Sequence, residues 1–440
     1  VTSAPLQASP PTEPMPVITG RIPWSESLSS LRVHNFRLFT LSNIVAMSGT
    51  WMQRIAQDWL VLQLSGSVAA VGVTVAMQFT PMLLFGLYGG LIVDRYSKRM
   101  LLMMTQSIAG VLATLLAVLA LTGTVQVWHV YAIAFVVGLV TVVDNPTRQV
   151  FVNELVGPRN LRNAISVNSS VFQLGGLIGP AIAGALLVAV GAGWAFAINA
   201  ATCALTVATL GMLRTASLVR SAAVPRSKGQ LRQGLAYALR KPTILWSVVM
   251  VAVLSVFALS MPVILAAYAN DVFGVGAAGY GLFNTLVAAG AFTGAVLSTR
   301  RTRVRLRTVV AMGGLWGALQ AVAGLMPGEG GFAVTLVALG VANLLFITAA
   351  NSLVQMSSNL GIRGRVMSLY VLVLLGGQAI GGPLMGWIVE RWGPHIGMIV
   401  SGAVPALTAL VIGVVLARRH QLALSVRLDR RLPRVAIVPR

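Results

Sequence analysis

A chain of 440 residues that is 56% hydrophobic and only 10% charged, with a mean hydropathy of +0.83, lacks the polar surface a soluble protein of this size needs. Its 32 Lys and Arg against 10 Asp and Glu give a net charge of +22, a balance that ordinarily points to nucleic acid or anionic lipid. The basic residues lie between long apolar runs rather than on a polar module, so they exclude a nucleic-acid-binding domain and read as topology signals of a multispanning membrane protein.

In chain order, residues 1–35 are rich in Pro, Ser and Thr and have too little apolar surface to fold alone; a disordered cytoplasmic tail is expected. Six apolar runs follow at 37–63, 68–92, 100–122, 127–147, 165–190 and 194–213, within a first bundle of 36–213. A basic cytoplasmic linker covers 214–242, and six more runs at 243–269, 278–299, 308–327, 331–351, 366–388 and 395–417 form a second bundle of 243–417. Residues 418–440 form a basic cytoplasmic tail. Because the runs are continuous rather than alternating, only helices satisfy their backbone in lipid, and the fold class is all-α with twelve transmembrane helices. Thirty of the 32 basic residues fall in the two tails and one alternating set of loops, which places both termini in the cytoplasm by the positive-inside rule. Cys203 sits inside an apolar run as a small packing residue.

The first run is unlike the rest. At 100° per residue, Asn43, Thr50, Arg54, Gln57 and Asp58 fall on one face of its helix. A charge near a helix centre costs roughly 2.5 to 3.5 kcal/mol on insertion scales, so this stripe is expected to face a water-accessible cavity and not lipid. Arg54 stabilises an ionised Asp58 whereas desolvation favours the neutral acid, a balance that suits a carboxyl gaining and losing a proton as the cavity alternates.

After the second run comes GGLIVDRYSKRMLL, in which Gly90, Asp94, Arg95, Lys98 and Arg99 match the G-x-x-x-D-R-x-G-R-R signature of the major facilitator superfamily, with Ser97 where Gly is usual. The chain resembles that superfamily over residues 36–417, and the resemblance implies two pseudo-symmetric six-helix bundles that rock about a central site. It also implies a cytoplasmic latch at Asp94, Arg95 and Arg99. The equivalent second-half segment, GAVLSTRRTRVRLR, has Ser298 where the Asp would fall. Asp144 and Arg148, flanking Pro146 at the end of the fourth run, are assigned by the resemblance to the same gate. That run has no Arg before Arg148, although proton-driven exporters of the superfamily commonly carry one.

In the fifth run GGLIGPAIAG is similar to the exporter pattern G-x-x-x-G-P-x-x-G-G, with Ala183 in place of one Gly. Gly175, Gly179 and Gly184 let a neighbouring backbone approach, and Pro180 bends the helix. Gly-Pro pairs recur at 179/180 and 382/383 in equivalent stretches of the two halves, a sign of internal duplication. Small-residue pairs also mark the second run (Gly86, Gly90), the eighth (Gly290, Gly294) and the eleventh (Gly377, Gly381; Gly382, Gly386). In the superfamily these helices and the fifth form the seam between halves. The second half has no acidic residue within a run; Asp271, Glu329 and Glu390 sit near run ends, and Ser247, Ser255, Asn284, Asn343, Gln378, Met250 and Phe257 are its expected cavity residues. That wall suits an amphiphilic substrate.

No G-K-[ST] phosphate loop, HExxH or nucleophile elbow occurs, and the four His are scattered singly. No enzymatic activity, metal or cofactor is expected. With GTWMQRIAQDWLVLQLSGS and DNPTRQ, the motifs most resemble the enterobactin and macrolide exporter branch. That resemblance implies a proton-coupled exporter of drug-, macrolide- or siderophore-like molecules in a bacterial plasma membrane. Its partners would be substrate, protons and anionic lipids at the cytoplasmic face, with a monomer as the working unit. The alternatives are a facilitator or importer of the same fold without proton coupling, and a non-transporting membrane assembly or sensor protein.

Overall fold

The computed structural model describes residues 29–214, 230–298, 304–359, 361–419, 422–429 and 432–439. Most of the expected N-terminal tail, the centre of the linker and residues 300–303 of the basic 300–307 loop lie outside these residues. The first half comprises α1 (His34–Ser65), α2 (Val68–Arg95), α3 (Lys98–Leu121), α4 (Val127–Gly157), α5 (Asn163–Ala189) and α6 (Ala192–Met212). A short helix α7 (Gln230–Arg240) precedes the second half: α8 (Pro242–Val272), α9 (Gly276–Ser298), α10 (Leu306–Ala323), α11 (Glu329–Ser357), α12 (Arg363–Trp392) and α13 (Pro394–Arg419). Among the described residues eleven helices are long and apolar enough to cross a membrane. The twelfth, α1, has 32 residues and ample length, but its polar stripe lowers its hydropathy.

The 148–162 segment, expected as a loop, is helical along most of its length. Helix α4 runs through Pro146 to Gly157, where φ of 66° and ψ of −179° turn the chain into α5. Pro146 lacks the amide that would bond the Val142 carbonyl, and Gly89 of α2 lies against that carbonyl, where any side chain would collide with it. Helix α8 is interrupted between Phe257 and Met261, where Pro262 frees the Ala258 carbonyl; Gln320 Nε2 of α10 approaches that oxygen at 3.5 Å. Beyond the all-α membrane fold, Leu422–Asp429 (β1) and Leu432–Pro439 (β2) of the C-terminal tail form an antiparallel hairpin, pairing Leu422 with Pro439 and Val426 with Val435. Alternation such as LALSVRLD suits a strand, and the two-residue connection suits a hairpin.

The end of the bundle carrying the 94–99 turn, the Gly157 bend and α7 is its basic end; the opposite end is the far end. The halves meet along α2 against α12 and α5 against α9, the helices expected at the seam. A methyl on Gly382 would stand 2.5 Å from the Gly72 carbonyl oxygen, and one on Gly184 3.1 Å from Cα of Gly281. Backbones touch there because side chains are missing. At the basic end of the first half, Phe36, Phe39, Leu102, Phe151, Leu155 and Leu210 form a separate core, with Phe39 and Phe151 edge to face at 5.5 Å.

Candidate functional site in the central stripe and the seam

Helix α1 divides its polar stripe into three environments. Near the basic end, Asn43 joins a buried web. Its Oδ1 accepts from Arg148 Nη1 at 2.6 Å, and its Nδ2 donates to Asn168 Oδ1 at 3.2 Å. At mid-helix Thr50 is exposed and returns its hydroxyl to Ala46 O at 2.9 Å, while Arg54 is half-buried. Toward the far end Gln57 and Asp58 are buried, Asp58 to 1% exposure. Accessibility thus falls along the stripe from Thr50 to Asp58.

Asp58 meets the other half of the molecule. Tyr280 of α9 donates to its Oδ2 at 3.3 Å, and the Tyr280 ring stacks on Trp59 at 5.7 Å. The second carboxylate oxygen, Oδ1, is buried without a hydrogen-bond partner, as is Gln57 Nε2. The expected Arg54–Asp58 contact is not made: no ion pair joins them, and the guanidinium lies over the rings of Trp51 at 5.1 Å and Phe79 at 5.4 Å. Ring faces offer a cation a favourable quadrupole, and Asp58 acts on the guanidinium only through space.

Of the residues assigned to one cytoplasmic gate, Asp144 and Arg148 have different partners from Arg99. Asp144 and Arg148, one helical turn apart, form a buried pair with Nε to Oδ2 at 2.5 Å. Asp144 Oδ1 also accepts from Thr105 Oγ1 at 2.7 Å and Gln106 Nε2 at 2.9 Å. This web ties α1, α3, α4 and α5 together inside the first half. Arg99 instead caps the C-terminus of α6, donating to the carbonyls of Leu210 at 2.6 Å and Gly211 at 2.7 Å, where a cation complements the helix dipole. Lys98 pairs with Glu154 of α4 at 3.6 Å. Gly90 and Asp94 lie in the last turns of α2, and Arg95 at its end is exposed.

The glycines also divide. Gly175 and Gly179 pack on α1, where added methyls would fall 2.6 Å from Met47 Cβ and 2.7 Å from the Ser48 carbonyl oxygen. Gly290 and Gly294 face α11, and Gly377 and Gly381 face α8; all four serve packing within the second half. The glycines whose backbones touch the opposite half's backbone across the seam are Gly72, Gly184, Gly281, Gly382 and Gly386, while Gly376 lies against the Leu83 side chain and Gly86 reaches that of Leu372. Pro180 belongs to the same contact, its carbonyl 2.8 Å from where a methyl on Gly281 would stand. Of the expected cavity residues, Ser247, Ser255 and Met250 are buried in helix packing: Ser255 donates to Leu374 O of α12 at 2.6 Å, and Met250 lies against Gly313. Asn284 returns its amide to Tyr280 O at 2.9 Å, Asn343 Oδ1 is buried without a partner, and Phe257 and Gln378 are half-buried.

Three participants escaped sequence reasoning. Tyr280 lay in an apolar run one turn before Asn284, and nothing in the sequence set it opposite Asp58. Glu154 had a legible signal, as a lone carboxylate facing the basic 94–99 turn. Glu390, in the last turn of α12, reaches across the far end to α2, where one oxygen accepts from Ser67 Oγ at 2.5 Å and Ala69 N at 2.8 Å. Ser67 itself caps α2 by accepting from Ala70 N, so a carboxylate from one half completes the N-terminus of a helix from the other.

Comparison with known proteins agrees with this architecture. The family model described as transmembrane secretion effector matches residues 25–434. The enterobactin exporter EntS of Escherichia coli O1:K1 / APEC is 24% identical over 398 residues, covering 89% of this chain and 94% of that protein. The staphyloferrin A transporter of Staphylococcus aureus is 28% identical over 152 residues, 34% of this chain and 38% of that protein. Among solved structures, a bacterial homolog of the human lysosomal transporter Spinster, inward-facing and occupied, superposes with a TM-score of 0.69 at 16% identity, covering 88% of this chain and 97% of that one. The nucleoside transporter NupG gives 0.69 at 11% identity, covering 87% and 99%. Two six-helix halves meeting at a glycine-lined seam, with a family match spanning nearly the whole chain, establish that this protein is a multispanning transporter of the transmembrane secretion effector family, within the major facilitator superfamily.

Proposed function

We propose that the chain is a proton-coupled exporter of amphiphilic small molecules in the inner membrane of a bacterium. Its basic end faces the cytoplasm and it works as a monomer by alternating access. The observation that carries this reading is the position of Asp58: a carboxyl in the seam itself, bonded to Tyr280 of the opposite half and sealed at the far end. The far end is closed by the Glu390 contact to α2, the Tyr280 contact to Asp58 and the backbone contacts of Gly72 and Gly184. Exposure rises from Asp58 through Arg54 to Thr50 and falls again at Asn43, so the open part of the stripe lies at mid-helix, on the basic-end side of the sealed carboxyl.

Rocking the halves apart at the far end separates Tyr280 from Asp58 and admits water to the carboxyl. Proton exchange at Asp58 is thereby tied to the conformational cycle: a proton taken up while the far end is open travels with the carboxyl to the state closed there. Relatives named for siderophore transport support export of a bulky amphiphile, and the small residues of the seam suit sliding contact. The test is uptake into inverted membrane vesicles, screened against amphiphilic drugs and siderophores, with and without an imposed pH gradient. Uptake that requires the gradient supports the reading; uptake of a substrate at equal rate and extent without it contradicts proton coupling.

A further inference from the structure

Arg54 is a permanent cation within the span of α1, yet among the described residues it forms no ion pair and donates no hydrogen bond. What surrounds it is aromatic: the guanidinium lies over Trp51 and Phe79, and Trp51 meets Phe172 of α5 edge to face at 5.8 Å. Ring faces stabilise the charge from above and below the guanidinium plane but leave its in-plane N–H groups without acceptors. One turn further along the same face, Gln57 is only 3% exposed, and its Nε2 is a buried donor with no acceptor. Burying donors and acceptors without partners is costly, and sites built to hold a ligand are where such groups persist. Asp58 acts on Arg54 through space but forms no ion pair or hydrogen bond with it; its one hydrogen bond comes from Tyr280, so the guanidinium N–H groups keep no acceptor.

We propose that Arg54 and Gln57, with the rings of Trp51, Phe79 and Phe172, form a binding subsite for the anionic aromatic part of the transported molecule, an aromatic carboxylate being the simplest member of the class. A carboxylate oxygen pair matches the in-plane fork of the guanidinium, while the attached ring packs against Trp51 and Phe172. Phe172 and Thr50 are exposed, so the aromatic side of the subsite is not covered by other parts of the protein. The inference rests on the transport reading for its biological meaning but is tested by equilibrium binding, which needs neither a proton gradient nor turnover.

Full-length protein in lipid nanodiscs is titrated with benzoate and with benzamide, its neutral isostere, by ligand-detected NMR, with empty nanodiscs as the blank. Benzoate is expected to bind about tenfold or more tightly than benzamide. Arg54→Gln should remove that preference, Arg54→Lys should retain part of it, and Gln57→Leu should weaken both probes a few fold, since each offers an oxygen to the Gln57 Nε2 donor. Equal binding of the two probes by the wild-type protein, no binding of either, or an undiminished benzoate preference in Arg54→Gln overturns the proposal. If Arg54→Gln fails to fold, the wild-type comparison of the two probes decides alone. Benzoate preference without gradient dependence in vesicles would sustain this subsite while refuting proton coupling.

Discussion

The Asp144–Arg148 pair offers a quantitative test of whether the web in the first half is a moving gate or a fixed strut. Both side chains are about nine-tenths buried, at 10% and 9% exposure, and the 2.5 Å Nε–Oδ2 contact is one of four interactions that use their polar atoms. Asp144→Asn leaves the Arg148 guanidinium buried without its countercharge. Arg148→Met leaves the carboxylate with only Thr105 and Gln106. Breaking one side of a buried ion pair costs about 3 to 5 kcal/mol, whereas removing both charges together is often close to neutral. The double variant should therefore be more stable than either single one, with a coupling of about 2 to 3 kcal/mol in a double-mutant cycle. The chain supplies its own reporter, because Cys203 is its single cysteine and is 4% exposed in α6. Labelling of that thiol by a reactive fluorophore as temperature rises reads unfolding directly. Single substitutions that each shift unfolding by less than about 1 kcal/mol, or a double variant equal to their sum, would show that the web does not hold α1, α3, α4 and α5 together.

Tyr280→Phe removes the hydrogen bond to Asp58 and orphans both carboxylate oxygens. Spin labels on α2 and α12 should then report a greater share of molecules open at the far end; an unchanged distance distribution counts against the Tyr280 role. Glu390→Gln weakens the bond from the Ser67 hydroxyl and the interaction with the α2 N-terminus, worth about 1 kcal/mol, so it should open the far end more modestly, by roughly fivefold in population. Gly72→Ala and Gly290→Ala separate the two classes of glycine: the first puts a methyl 2.8 Å from the Gly382 carbonyl carbon at the seam, the second 3.1 Å from Cα of Gly340 within the second half. Gly72→Ala should shift the conformational balance with little loss of thermal stability, and Gly290→Ala should lower stability by about 1 to 3 kcal/mol, read by Cys203 labelling. The reverse pattern would misplace the seam.

The helical spans were legible because apolar runs of membrane length have few alternatives to a helix in lipid, and the Gly-rich stretches marked where backbones approach. Which backbone approaches which glycine was not legible: Gly175 and Gly184 lie nine residues apart on one helix, yet one packs on α1 and the other on α9. Spacing gives the face of a helix but not the neighbour across it. The stripe on α1 was visible from periodicity, whereas the partner of Arg54 was not, since the rings of Trp51 and Phe79 look in sequence like ordinary apolar residues. Pro146 appeared to end a helix because its missing hydrogen bond is a local fact. The Gly89 backbone that lies against the freed Val142 carbonyl is 57 residues away. Sequence places Glu390 only near the end of its run; its contact with Ser67 depends on how two halves close, which no local pattern encodes.

The most direct measurement compares Asp58→Asn with the wild-type protein in proteoliposomes, using a substrate identified in the vesicle screen. Two modes are recorded: exchange of labelled for unlabelled substrate at equal pH, and accumulation driven by a pH gradient. An amide keeps the seam contact with Tyr280 but carries no titratable proton, so exchange should persist while gradient-driven accumulation is lost. Accumulation at the wild-type level in Asp58→Asn would contradict the assignment of the coupling proton to this carboxyl.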